Sequence, residues 1–129
     1  MTRNFLRLTL AAAALSLATG AFAQTAPVKT AATDKGQAFV DAKGMTLYTF
    51  DKDADGKSAC NGGCATNWPP LMAAADAKAA NGWTMIKRDD GAMQWAYKGK
   101  PLYAFAKDTK AGDATGDGFL NGAWHVAKP

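Results

Sequence analysis

Two cysteines, one histidine and a set of aspartates are the residues here whose chemistry could reach beyond packing. Cys60 and Cys64 are the only thiols and sit in CNGGCATNWPP, and His125 is the only histidine, in Trp124-His125-Val126. Two thiolates and an imidazole form a soft donor set that favours Cu(I), so Cys60, Cys64 and His125 make a candidate copper or thiol-redox site. The same cysteines can instead close on each other. Gly62 and Gly63 permit a tight loop, and a bridge this short contributes about 2 kcal/mol in the chain-entropy account. We read Cys60–Cys64 as a disulfide staple, with copper as the competing reading. A dithiol oxidoreductase would place C-x-x-C at a helix start, and haem attachment would need C-x-x-C-H. Neither spacing occurs.

The aspartates offer a second chemistry. Asp51-x-Asp53-x-Asp55-Gly56 reproduces the opening of a calcium loop, but the position that should hold its closing glutamate is Gly62. Asp108, Asp113 and Asp117 lie in another glycine-rich loop, DTKAGDATGDG. Calcium at either set is a further alternative. The simpler reading is of turns whose aspartates bond their own backbone, with Asp53 and Asp108 capping the turn after a strand. His125 as a catalytic base would need a nucleophile and an orienting carboxylate. The only serine after Ser16 is Ser58, outside any nucleophile-elbow context. The leaning is therefore against an enzyme, and no cofactor is expected unless copper or calcium binds.

The elements that must hold these residues begin after an export leader. Residues 1–23 carry Arg3 and Arg7, an apolar run from Leu8 to Leu17, and Ala21-Phe22-Ala23. This pattern predicts a signal peptide cleaved near Ala23. No cysteine stands there to take a lipid anchor, and no other run is long and apolar enough to span a membrane. A soluble periplasmic or secreted chain of residues 24–129 is expected. Without Arg3 and Arg7 the chain has 13 basic and 11 acidic residues, a net charge of +2. So small and scattered a charge argues against nucleic acid as a partner.

All acidic residues are aspartate and there are thirteen glycines, a composition suited to turns and short strands. One pattern occurs twice. KGMTLYTFDKD from Lys43 and KGKPLYAFAKD from Lys98 match at seven of eleven positions with an offset of 55, and one further residue aligns Trp68 with Trp124. Alternation predicts a strand with Tyr48 and Phe50 on one face and Leu47, Thr49 and Asp51 on the other. Gln37–Asp41, Trp83–Arg88, Met93–Lys98, Leu102–Phe105 and Ala123–Ala127 read as further strands, with Asp89-Asp90-Gly91 as a hairpin turn. Leu71–Ala80 is alanine-rich but lacks an apolar stripe, and is read as loop or a turn or two of helix. The sum is an all-β, pseudo-duplicated antiparallel domain of short strands and hairpins with at most one short helix. Its repeats span about 36–80 and 81–129, each too small to bury a core alone.

Tyr48-x-Phe50-x-x-Asp53 and Tyr103-x-Phe105-x-x-Asp108 both fit Y-x-[FWY]-x-x-D. With CNGGCATNWPPL, RDDGAMQWAYKGKPLY and GDATGDGFLNGAWH, they resemble the bacterial secreted-repeat family, described as predicted lipoproteins carrying that motif. The resemblance transfers no catalytic residue. It leaves a non-catalytic role, binding a small ligand, an ion or an envelope partner, as the expected function.

Overall fold

The computed structural model describes residues 26–129, so the expected signal peptide and its cleavage point lie outside the described residues. The fold is all-β and antiparallel. β1 (Val28–Thr33) and β2 (Gly36–Asp41) form a hairpin with Val28 opposite Asp41. β3 (Tyr48–Phe50) follows, and then a single turn of helix, α1 (Gly63–Asn67). β4 (Met72–Ala73), β5 (Trp83–Lys87), β6 (Met93–Tyr97) and β7 (Lys100–Pro101) make a sheet in which β6 pairs with the other three. The chain ends in α2 (Phe119–Gly122) and β8 (Trp124–Val126), which pairs with β3.

Several details depart from the sequence reading. A helical turn falls on the cysteine loop, where none was expected, while the alanine-rich segment is loop apart from β4, as one of its two readings had it, with only Ala77 buried. Without an apolar face to bury, alanine propensity alone does not hold so short a helix. Leu120 and Asn121 inside α2 are left-handed, with φ of 55° each, so this segment is a kinked pair of turns and not a regular helix. The strand expected from Leu102 pairs regularly only at Lys100–Pro101, with Tyr103 making single bridges to Tyr48 and Pro70. β1 was not expected, because VKTAAT has little apolar alternation; its register against β2 supplies what its side chains lack.

The two repeats close each other. The amide of Tyr48 donates to the carbonyl of Tyr103 at 2.7 Å and the amide of Tyr103 to that of Tyr48 at 3.0 Å, so a pseudo-two-fold axis passes between equivalent residues. Beyond it the partners are exchanged. β3 of the first repeat pairs with β8 of the second, and residues 103–106 run beside 67–70 of the first. Asp51 N to Ala123 O and Ala106 N to Asn67 O, both 2.8 Å, are equivalent bonds on the two sides. The backbone circuit Phe39–Ala127–Leu47 is likewise repeated as Trp95–Leu71–Leu102.

The core follows this crossing. Phe105, Trp68, Trp124 and Phe50 form one continuous stack, with successive centroids 4.0, 3.8 and 4.1 Å apart. Each repeat's tryptophan thus lies on the other's phenylalanine, and the two tryptophans face each other within 3° of parallel. Contacts of this kind add about 0.5–1.5 kcal/mol each beyond area burial. Tyr48 and Phe50 point into this cluster while Leu47, from the opposite strand face, enters a second one with Phe39, Leu102 and Ala127.

Candidate functional site

The repeated motif forms a crossed clasp. Tyr48 Oη donates to Asp108 Oδ2 at 2.5 Å, and Tyr103 Oη donates to Asp53 Oδ2 at 2.6 Å. The second carboxylate oxygen closes the local loop: Asp53 Oδ1 accepts from Ala59 N, and Asp108 Oδ1 from the amide and hydroxyl of Thr115. Each aspartate therefore caps its own loop and also anchors the other repeat's tyrosine. Both phenols are pushed far above their ordinary range, by burial first and then by the facing carboxylate. Burial also raises the Asp53 carboxyl, against the hydrogen bonds from Ala59 and Tyr103 and the nearby Arg88 charge.

One side of the clasp extends into a polar network missing from the other. Because its own O–H donates to Asp53, Tyr103 Oη accepts from Ser58 Oγ at 2.6 Å. Arg88 donates to Ser58 Oγ, Gln94 Oε1, Cys60 O and Asn61 Oδ1. Gln94 passes the chain on to the carbonyl of Leu102. Arg88 is 6% exposed, a burial that a guanidinium tolerates because its planar fork can satisfy several acceptors at once. Every buried side-chain polar atom among the described residues has a partner. Sequence reasoning missed Arg88, although a signal was available: it is the only arginine after Arg7, among basic residues that are otherwise lysines.

Cys60 and Cys64 are joined as a disulfide with Cα atoms 5.1 Å apart, and Cys60 is fully buried in the main cluster. Its sulfur is therefore not a free thiolate. His125 is elsewhere, on the outward face of β8, where its Nε2 lies 2.7 Å from Asp51 Oδ2. The structure does not bring Cys60, Cys64 and His125 together as a ligand set. Nor does it gather the aspartates. Asp55 sits exposed in a left-handed turn, and Asp117 Oδ1 accepts from Val126 N. Asp113 Oδ2 accepts from Thr109 and the Lys110 amide, and Oδ1 from Lys110 Nζ. The Lys110 contact, then the Thr109 amide, hold its carboxyl well below the usual carboxylate range. Among the described residues no three His, Cys or Asp side chains form a cluster that could hold a metal ion.

A cleft of about 340 Å³ opens beside the His125–Asp51 pair. Phe39, Tyr97, Leu102 and Ala127 supply apolar lining, and Thr49, Asp51, His125, Lys100 and Lys128 bring polar groups. Thr49 and His125 are a cross-strand pair on the outward face of β3 and β8, and Lys100 is the first residue of β7. A smaller hollow of about 230 Å³ continues past Lys100 and shares Thr49 and Asp51.

The duplication supplies an internal control for this cleft. Through the matched backbone bonds, Thr49, Asp51 and His125 correspond to Ala104, Ala106 and Pro69 in the other half, and Lys100 and Lys128 to Met45 and Met72. The matched backbone bonds of the other half are thus made with none of these polar groups.

No curated protein and no solved structure matches the chain. Among the described residues no helix is long and apolar enough to cross a membrane. One family model matches twice, over residues 29–72 and 79–128, so that each match takes in one copy of the motif and each clasp joins the two matched segments. The chain belongs to that family, described as a secreted repeat of unknown function.

Proposed function

We propose that the protein is a non-catalytic binding module of the periplasm or the cell exterior, released by cleavage near Ala23, whose small ligand occupies the cleft beside His125. The observation that carries this reading is the asymmetry between the halves. Thr49, Asp51, Lys100, His125 and Lys128 converge on a concave, partly apolar surface, whereas the equivalent positions are Ala104, Ala106, Met45, Pro69 and Met72. Concave apolar sites with a few convergent polar groups are the usual form of a small-ligand site. Ser58 is bound to Tyr103 and Arg88 and both cysteines are bridged, and Thr49, opposite His125, makes no hydrogen bond to its ring among the described residues. That favours binding over acyl chemistry.

Amide-resolved NMR of the exported protein against a fragment library tests the proposal. Hits should shift the amides of Thr49, His125 and Ala127 and leave Ala104 and Ala106 in place. Hits that map equally to both halves, or none at the cleft, would overturn it.

A further inference from the structure

Resting on the cleft as the binding site, we infer that its ligand is a small organic anion with an apolar body, held by Lys100 and Lys128 at the rim. Two lysines, His125 and a single carboxylate, Asp51, line the cleft. Asp51 is already engaged by His125 at 2.7 Å. Among the described residues neither Lys100 nor Lys128 has a carboxylate within salt-bridge distance, and Lys128 Nζ donates only to the carbonyl of Lys35. The rim therefore carries positive charge without internal neutralisation, above walls of Phe39, Leu102, Ala127 and Tyr97.

Both lysines stand where the other half has methionine, Met45 and Met72. The fold accepts an uncharged side chain of similar length at each place, so the charges are not there to hold the backbone. An anionic group would pair with the lysines and with His125 when it is protonated, and an aromatic or branched body would displace water from the apolar wall. The two contributions are separable, because removing the charge from the ligand should leave the apolar term intact.

The test uses naphthoate and its neutral counterpart naphthamide, titrated into the full exported chain and followed by amide shifts. Naphthoate should bind at the Thr49, His125 and Ala127 amides roughly fivefold tighter than naphthamide, as two partly exposed ion pairs allow. Added salt should remove that preference. The double variant Lys100→Met, Lys128→Met copies the other half; it should keep a folded amide spectrum and bind the two probes with equal affinity. Equal affinities of the two probes at the cleft would overturn the anion assignment while leaving the cleft as a binding site. Failure of both probes to shift the cleft, or equal shifts at Ala104 and Ala106, would overturn both. The wild-type comparison stands even if the variant does not fold.

Discussion

The phenol of Tyr48 and the carboxylate of Asp108 come from different repeats and meet at 2.5 Å, and Tyr103 returns the contact to Asp53 at 2.6 Å. The repeated motif is thus a means of joining the halves, with its tyrosine and its aspartate serving opposite partners.

Tyr48→Phe removes the phenol from a buried carboxylate and should cost about 2 kcal/mol. Combining it with Asp108→Ala should cost at least about 1 kcal/mol less than the two single changes added together, because both remove one interaction. Urea unfolding of the single and double variants measures this. Strict additivity would show that the two groups are not coupled.

Stability should fall on the alkaline side. Tyr48 and Tyr103 ionise near 10.0 when unfolded and well above that when folded. Below the unfolded value both are protonated in either state and their contribution is whole. As pH rises past it, only the unfolded chain releases the protons, and each phenol removes up to about 1.4 kcal/mol per pH unit. Denaturation midpoints between about pH 9 and pH 11 should drop with that slope, and Tyr48→Phe should halve it. A flat profile would contradict the raised phenols.

Replacing both Cys60 and Cys64 by alanine should lower stability by about 2 kcal/mol without abolishing the fold. The equivalent turn in the other half, Phe119–Gly122, is built without sulfur. Thermal melts with and without reductant should show the same loss in wild type and none in the variant. A variant that fails to fold would mean the bridge is required for folding and not only stabilising.

Gly116→Ala should be costly for steric reasons. A Cβ there would lie 2.6 Å from Trp68 Cη2 and 3.0 Å from Phe105 Cδ2, within the aromatic stack. Neither ring can yield without disturbing its neighbours, so a loss of roughly 1–3 kcal/mol is expected. Gly63→Ala, with no atom within 4 Å of the added carbon, is the control and should change stability by under about 0.5 kcal/mol. Equal melting temperatures for the two variants would refute the packing argument.

The sequence disclosed the equivalence of the repeats but not their exchange. An offset of 55 pairs Tyr48 with Tyr103 and Asp53 with Asp108 as copies, and says nothing of whether a tyrosine bonds its own aspartate or its copy's. That choice is made by strand pairing between residues far apart in the chain, which local alternation does not encode. The hairpin at Asp89–Gly91 and the inward face of Tyr48 and Phe50 were legible because turn chemistry and period are local. The cleft was not: His125 and Asp51 are 74 residues apart, and their meeting depends on β8 crossing to β3. The aspartate-rich stretches resemble calcium loops in sequence, whereas in the fold Asp53, Asp108 and Asp113 accept from backbone amides of their own loops.

The crossing has a consequence for stoichiometry. If the repeats were separate chains, each could close only on a second copy, and the result would be a symmetric dimer presenting every surface twice. Joining them through residues 74–82 makes that association intramolecular, independent of protein concentration. It also releases the two faces from having to be identical. His125 and its lysines can then be present once, opposite a blank counterpart, so the proposed cleft offers one site where a symmetric dimer would offer two.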